Sequence, residues 1–259
     1  MAVEVDVMAP ANPAVVAEVQ GSDEPKTSTA VVPRDQRSLE LGSMGGDVKS
    51  SDLRLPRLQI AYGVGKLATN YSQGDLVLDG EHLIVAKRVP VKVIVWSTYT
   101  YWKEYLDNEA YNAGLRTRTF ASAEEVKAAG GTTDWGPSGE RPTFSRAIDL
   151  RLFIQKPEKL ECGLFGIDLD GKPYAPAMFT ADKMGFGKIQ PAIQTAATFS
   201  LRKRGLQAGM WELSTEVKVE GAKTKVFPLI KLIGFNSPKL LEDLKTVFDG
   251  GEPEAPAAS

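Results

Sequence analysis

Residues 89–105 read VPVKVIVWSTYTYWKEY, and this run decides the fold. Val91, Val93 and Val95 alternate with Lys92, Ile94 and Trp96; Thr98, Thr100 and Trp102 then alternate with Tyr99, Tyr101 and Lys103. Alternation at period two, in β-branched and aromatic residues, is the signature of a strand. A run of about 17 residues is longer than an ordinary strand, so a bend or bulge is expected near Ser97. The register decides what the run offers to solvent. If Val91, Val93 and Val95 point inward and the alternation continues, Tyr99, Tyr101, Lys103 and Tyr105 point inward too, leaving Trp96 and Trp102 outside. A bulge inverts the second half. The sequence leaves both alternatives open.

Working outward, strand character continues on both sides. Residues 55–62 form a short strand, and 75–78 and 82–87 flank Asp79-Gly80, a two-residue hairpin signal. After the long run comes a polar excursion, 106–141, with one short helix at 122–129 capped by Ser122 and ended by Gly130-Gly131. Strands resume at 144–155 and 160–168, and Asp170-Gly171 turns into another at 174–179. Residues 183–204 are the main helix candidate, with Ile189, Ile193, Ala196, Ala197, Ser200 and Leu201 on one face. Pro191 belongs in a first turn, which puts the start of the helix proper near Gln190, and Gly205 ends it. Residues 211–219 and 225–232 form a hairpin around Glu220-Gly221, and Ser237-Pro238 caps a last helix through Phe248. Strands outnumber helices and seldom alternate with them. A β-rich α+β protein built on an antiparallel barrel with helical additions is expected, not a doubly wound parallel sheet.

Residues 1–51 contain no aromatic residue and no sustained period, and are expected to be a disordered acidic segment. The body, 52–248, reads as a single domain, and 249–259 as a flexible acidic tail. No stretch approaches the roughly 18 consecutive apolar residues of a membrane span. The 31 basic and 33 acidic groups give a net charge of −2. Residues 1–51 take four and eight of these and 249–259 none and three, so the body holds 27 and 22, a surplus of five positive charges. A near-neutral total therefore conceals a basic body between acidic ends, which suggests a polyanion partner.

Catalytic motifs do not assemble. One cysteine, Cys162, and one histidine, His82, exclude a disulfide framework and Cys- or His-rich metal sites. Cys162 reads as a small buried residue and His82 as a structural one. Gly63-Val64-Gly65-Lys66 lacks the leading glycine and trailing hydroxyl of a phosphate loop and reads as a glycine-rich turn near a phosphate backbone. Asp168-Leu169-Asp170-Gly171 lacks the spacing of a calcium loop and reads as a hairpin turn. Asp149, Asp170 and Lys172 have the residue types of a Mg²⁺-dependent nuclease, a minor alternative.

The strongest feature is aromatic–basic interleaving: Trp96, Tyr99, Tyr101, Trp102, Lys103 and Tyr105, then Arg116, Arg118 and Phe120, then Trp135, Arg141, Phe144 and Arg146. Bases stack on aromatic faces while cations follow the phosphates, the combination that binds single strands without reading sequence. Lys183, Lys188, Arg202, Lys203 and Arg204 form a second basic group on the main helix, and Lys218, Lys223, Lys225 and Lys231 lie on the last hairpin. Candidate binding residues are thus Trp96, Tyr99, Tyr101, Trp102, Lys103, Arg116, Arg118, Arg146, Lys188, Arg202 and Lys203.

The segments RLPRLQI (54–60), GDLVLDGEHL (74–83), VIVWSTYTYWKEY (93–105), and DGKPYAPAMFTADKMGFGKI followed by WELST (within 170–215) are laid out in a way that resembles phage-type single-stranded DNA-binding proteins of the OB-fold class. The resemblance implies an OB-like barrel, non-catalytic binding of single-stranded DNA in replication or recombination, no cofactor, and a cytoplasmic site of action, that of the host for a phage gene. It also implies recruitment of replication or recombination proteins by the acidic tail, although this tail is short and lacks a terminal aromatic residue. Self-association into a homo-oligomer is compatible with the same layout. The rival expectation is a virion or assembly protein that uses the β body for protein contacts.

Overall fold

The computed structural model describes residues 55–107, 109–110, 113–220 and 223–249. The expected disordered N-terminal segment and the acidic tail beyond Asp249 lie outside these residues.

Ten strands form one sheet: β1 (Arg57–Ile60), β2 (Leu76–Leu78), β3 (His82–Val85), β4 (Val91–Glu104), β5 (Thr119–Phe120), β6 (Phe144–Gln155), β7 (Ile167–Leu169), β8 (Lys172–Asp182), β9 (Gly209–Glu220) and β10 (Lys223–Phe235). Helices among the described residues include α1 (Ala123–Ala128), α2 (Lys183–Phe199) and α3 (Pro238–Asp249), with two short 3₁₀ turns. The strand order is β10-β9-β4-β6-β8-β1-β2-β3, with β5 added to β4 and β7 to β8. All pairs are antiparallel except β1 with β8, where Arg57 and Leu58 run alongside Met178 and Phe179. The sheet is therefore a curled, open, mixed one, and not the purely antiparallel barrel expected. That expectation failed because β1 and β8 are over a hundred residues apart, and no local signal fixes the direction of such a pair.

No ladder joins the two ends of the strand path among the described residues. The loops of the β2–β3 hairpin nevertheless reach β9: the Thr215 hydroxyl donates to the Gly74 carbonyl, and the Arg88 guanidinium donates to the Val217 carbonyl at 3.1 Å. Gly74 sits at φ +100°, and a Cβ there would lie 2.9 Å from both Lys87 and Val217, so only glycine fits this approach.

The main core fills one face of the sheet. Leu58, Val93, Val95, Leu150, Leu152, Ala177, Phe179, Trp211 and Leu213 point to it, and Ile189 and Ile193 of α2 cover it. Each such side chain contributes roughly 1.5–3 kcal/mol when fully buried. A smaller core occupies part of the opposite face: Ile94, Phe153 and Tyr174 beneath Leu240 and Leu244 of α3. Ser237 caps α3 by accepting from the Leu240 amide at 3.1 Å, and its hydroxyl donates to Asp170 at 2.9 Å. Asp243 accepts from the Asp170 amide at 2.7 Å, tying the helix to the β7–β8 turn.

Local expectations mostly hold. Ser122 caps α1 through the Glu125 amide at 3.2 Å. Asp170-Gly171 is the β7–β8 turn, both residues having positive φ. Asp79-Gly80 turns the β2–β3 hairpin, but Leu78 pairs with His82, so the connection is three residues and not two. Residues 160–166 form no strand; Gly163 and Gly166 interrupt them, and β7 begins only at Ile167. Helix α2 begins at Lys183 and runs through Pro191, not from Gln190. The proline costs the Gly187 carbonyl its intrahelical donor. Burial of Ile189 and Ile193 on either side holds the helix together across that gap.

Candidate nucleic-acid interface

The bulge in β4 creates the site. Val95 pairs with Leu152 and Ser97 with Arg151, so Trp96 is the extra residue. Before it, Val91, Val93 and Val95 face the main core. After it, Thr98 and Thr100 pair with Leu150 and Ile148 on that core face, and Tyr99, Tyr101 and Lys103 turn to the other. The bulge thus inverts the second half of the strand, one of the two alternatives the sequence left open.

Helix α3 covers only part of this second face; on the remainder Arg57, Gln59, Tyr99 and Thr180 are exposed, over buried Tyr101 and Asp149. Four strands contribute to it: Arg57 and Gln59 from β1, Met178, Thr180 and Asp182 from β8, Asp149 and Arg151 from β6, and Tyr99, Tyr101 and Lys103 from β4. Tyr99 is 51% exposed and stacks on Tyr101, with ring centres 5.7 Å apart and planes 20° from parallel. The Tyr101 hydroxyl donates to Asp149 Oδ1 at 3.1 Å, and the Thr180 hydroxyl donates to the same oxygen at 2.6 Å. Lys103 Nζ meets Asp182 Oδ2 at 3.0 Å. Asp182 precedes the first residue of α2, yet its carboxylate turns to Lys103 and makes no capping bond to the helix amides.

Two further tyrosines stand at the edge of this face. Tyr62, just past β1, is half exposed, but burial around its hydroxyl, helped by Asp182, pushes its pKa to about 12. It therefore stays a neutral hydrogen-bond donor throughout the physiological range. The Tyr105 ring carries Arg141 at 3.9 Å and Lys183 at 4.5 Å, two cation–π contacts on one ring. Lys183 holds φ at +50°, a strained conformation for a residue with a side chain, at the point where α2 leaves the sheet.

The other candidate residues are placed elsewhere. Trp96 lies on the same face but under α3, stacked on Phe248 at 4.6 Å and approached by Arg151 at 5.5 Å, so it is not an open platform. Trp102 and Arg146 pair with each other on the core face; Arg146 lies over Phe186 at 4.8 Å. Arg118 is held by Glu104 at 2.6 Å and lies over Phe144 at 5.4 Å, which makes it a brace for the β4–β5 pair. Its guanidinium keeps the Glu104 carboxyl below the usual carboxylate range. Arg116 is exposed in the segment before β5. Lys188 lies over Phe227 at 5.5 Å. Arg202 and Lys203 are exposed in the turn after α2, separated from Lys188 by more than about 15 Å of helix, so the expected second cluster is split in two.

Arg57, Tyr62, Asp149 and Arg151 belong to the open face and were not among the binding candidates. The alternation in RLQI (57–60) and DLRLF (149–153) carries the signal, polar and cationic residues standing opposite a leucine–isoleucine face. The nuclease trio does not come together. Asp149 sits opposite Thr180, while Asp170 and Lys172 lie at the far end of β8, some 25 Å away by strand rise. No group of three His, Cys, Asp or Glu able to hold a metal occurs among the described residues.

No family model, curated protein or solved structure matches this chain.

Proposed function

We propose that the chain is a non-catalytic binder of single-stranded DNA, and that the open sheet face is where the strand lies. One observation carries this: the Trp96 bulge brings exposed Tyr99, backed by buried Tyr101, and Lys103 to the same side of the sheet as Arg57 and Arg151. Stacking on an exposed tyrosine is worth roughly 1–3 kcal/mol per base and tolerates any sequence. Arg57 and Arg151 would follow the phosphates, while Asp149 positions Tyr101 and Asp182 holds Lys103 back. The glycine turn 63–66, which ends on exposed Lys66, follows Tyr62 directly in the chain. What supports an OB-like barrel is the curl of the sheet, which brings Gly74 and Arg88 to β9 without a ladder. A role in replication or recombination, with partners recruited by the acidic tail, is part of the same reading.

The test is a titration of labelled oligo-dT at about 50 and about 200 mM salt with the unmodified chain and with Tyr99→Ala. Expected are an affinity that falls with salt and a loss of roughly 5- to 150-fold in the variant. No binding at low salt, or binding indifferent to salt, overturns the proposal.

A second reading, an assembly protein, draws on β10. This strand ends the sheet, and Val219 of its hairpin and Phe235 at its end are 73% and 50% exposed. An unpaired edge of this kind is a template for self-pairing. Large ordered particles in light scattering without DNA would favour it over the first.

A further inference from the structure

A cleft of about 380 Å³ lies between the C-terminal half of α3 and the turn that follows α2. Leu244, Phe248 and Trp96 form its apolar wall, and Arg204 and Lys245, both exposed, line it. Neither cation has a carboxylate partner among the described residues. Arg204 lies over Phe235 at 4.8 Å, and Arg202 and Lys203 share its turn. Two cations without a carboxylate partner, in a cleft walled by aromatic rings, are the components that a nucleotide needs: a charge for the phosphate and a surface for the base.

The cleft and the open face share one side chain, Trp96. Arg151, opposite Ser97 and two residues from the Tyr99 position on β4, reaches the Trp96 ring at 5.5 Å. The same ring lines the cleft. The Trp96 indole N–H is buried without an acceptor. An unpaired buried donor is costly, so the packing that seals it under Phe248 is one an incoming acceptor can displace at reduced cost.

We propose that this cleft is a second nucleotide-binding subsite, so that a single strand leaving Tyr99 passes Arg151 and Trp96 and enters between Arg204 and Lys245. The inference rests on the single-strand reading above. It gives a use to Arg202 and Lys203, which share the turn with Arg204, and it predicts a length dependence. A short strand fits the tyrosine face alone, and a long one uses both.

The experiment compares oligo-dT of about 6 and about 25 nucleotides, within and beyond the usual span of one site. Arg204→Gln with Lys245→Gln removes the two cleft cations at exposed positions. Lys127→Gln with Lys159→Gln removes the same charge from exposed positions outside the cleft. Expected is a salt slope for the long strand smaller by about 1.4, at about 0.7 for each phosphate no longer neutralised, with the short strand unchanged. An unchanged slope for the long strand, an equal loss for both lengths, or an equal loss in the control pair overturns the subsite. In each of those cases a Tyr99→Ala loss leaves the first reading standing. Failure of the unmodified chain to bind either length overturns both.

Discussion

The Tyr101 hydroxyl donates to Asp149 Oδ1 across the β4–β6 pair, and Thr180 on β8 donates to the same oxygen. One carboxylate thus links three neighbouring strands beneath the Tyr99–Tyr101 stack. Asp149 is only 6% exposed, so its cost in desolvation is offset by these donors. Asp149→Ala removes the shared acceptor and is expected to cost roughly 1–3 kcal/mol, read as a lower urea midpoint. Asp149→Asn, which keeps an acceptor oxygen, should lose less. Equal midpoints for Asp149→Ala and the unmodified chain would show that the linkage contributes nothing.

Asp182 restrains Lys103. In Asp182→Asn the lysine loses its ion pair, while the N-cap position keeps a residue type equally suited to it. Affinity for oligo-dT at low salt should rise, and the salt slope should steepen by about 0.7 as one more cation becomes available to phosphate. A variant that binds more weakly would show that the pair itself shapes the binding surface.

Gly74 closes the curl of the sheet. Gly74→Ala combines a positive φ with a Cβ 2.9 Å from Lys87 and Val217. It should destabilise by more than the roughly 1–3 kcal/mol of backbone strain alone. Gly139, also at positive φ, has nothing within 4 Å of an added Cβ, so Gly139→Ala reports the strain without the clash. Thermal or urea midpoints of the two variants separate the terms. Equal losses would mean that the β2–β3 loops yield freely.

Glu104 and Arg118 make stability depend on pH at the acidic end. The folded-state pKa of Glu104 lies below its ordinary value, chiefly through its hydrogen bond to Arg118. Its contribution is therefore complete above the ordinary carboxylate range and disappears as pH falls through the lowered value. Arg118 is half exposed, so the pair is worth about 1 kcal/mol or less even with two-pronged geometry. Glu104→Gln should lower the urea midpoint at pH 7, and the gap from the unmodified chain should narrow as pH falls below the ordinary carboxylate range.

Much of the local structure was legible in the residues. The excess length of 89–105 announced a bulge, Asp170-Gly171 a turn, and Ser237-Pro238 a helix start. What the run of aromatics could not reveal is which of them solvent meets. That depends on Ser97 pairing with Arg151 and on α3 landing on Trp96, contacts between residues more than fifty positions apart. Helix α2 likewise runs through Pro191 because burial against the sheet outweighs one missing hydrogen bond, a balance that local rules for proline do not contain. Arg118 and Arg146 had the right chemistry for phosphate, but the fold commits them to Glu104 and Phe186.

The parallel pairing of β1 with β8 also sets an order of assembly. Leu58 finds Phe179 only after 120 intervening residues have been made, so the β1–β2–β3 segment emerges from the ribosome long before its place in the sheet exists. Pairings of such wide sequence separation slow folding. Until they form, β8 presents a bare edge, and the growing chain is then most prone to misassociation.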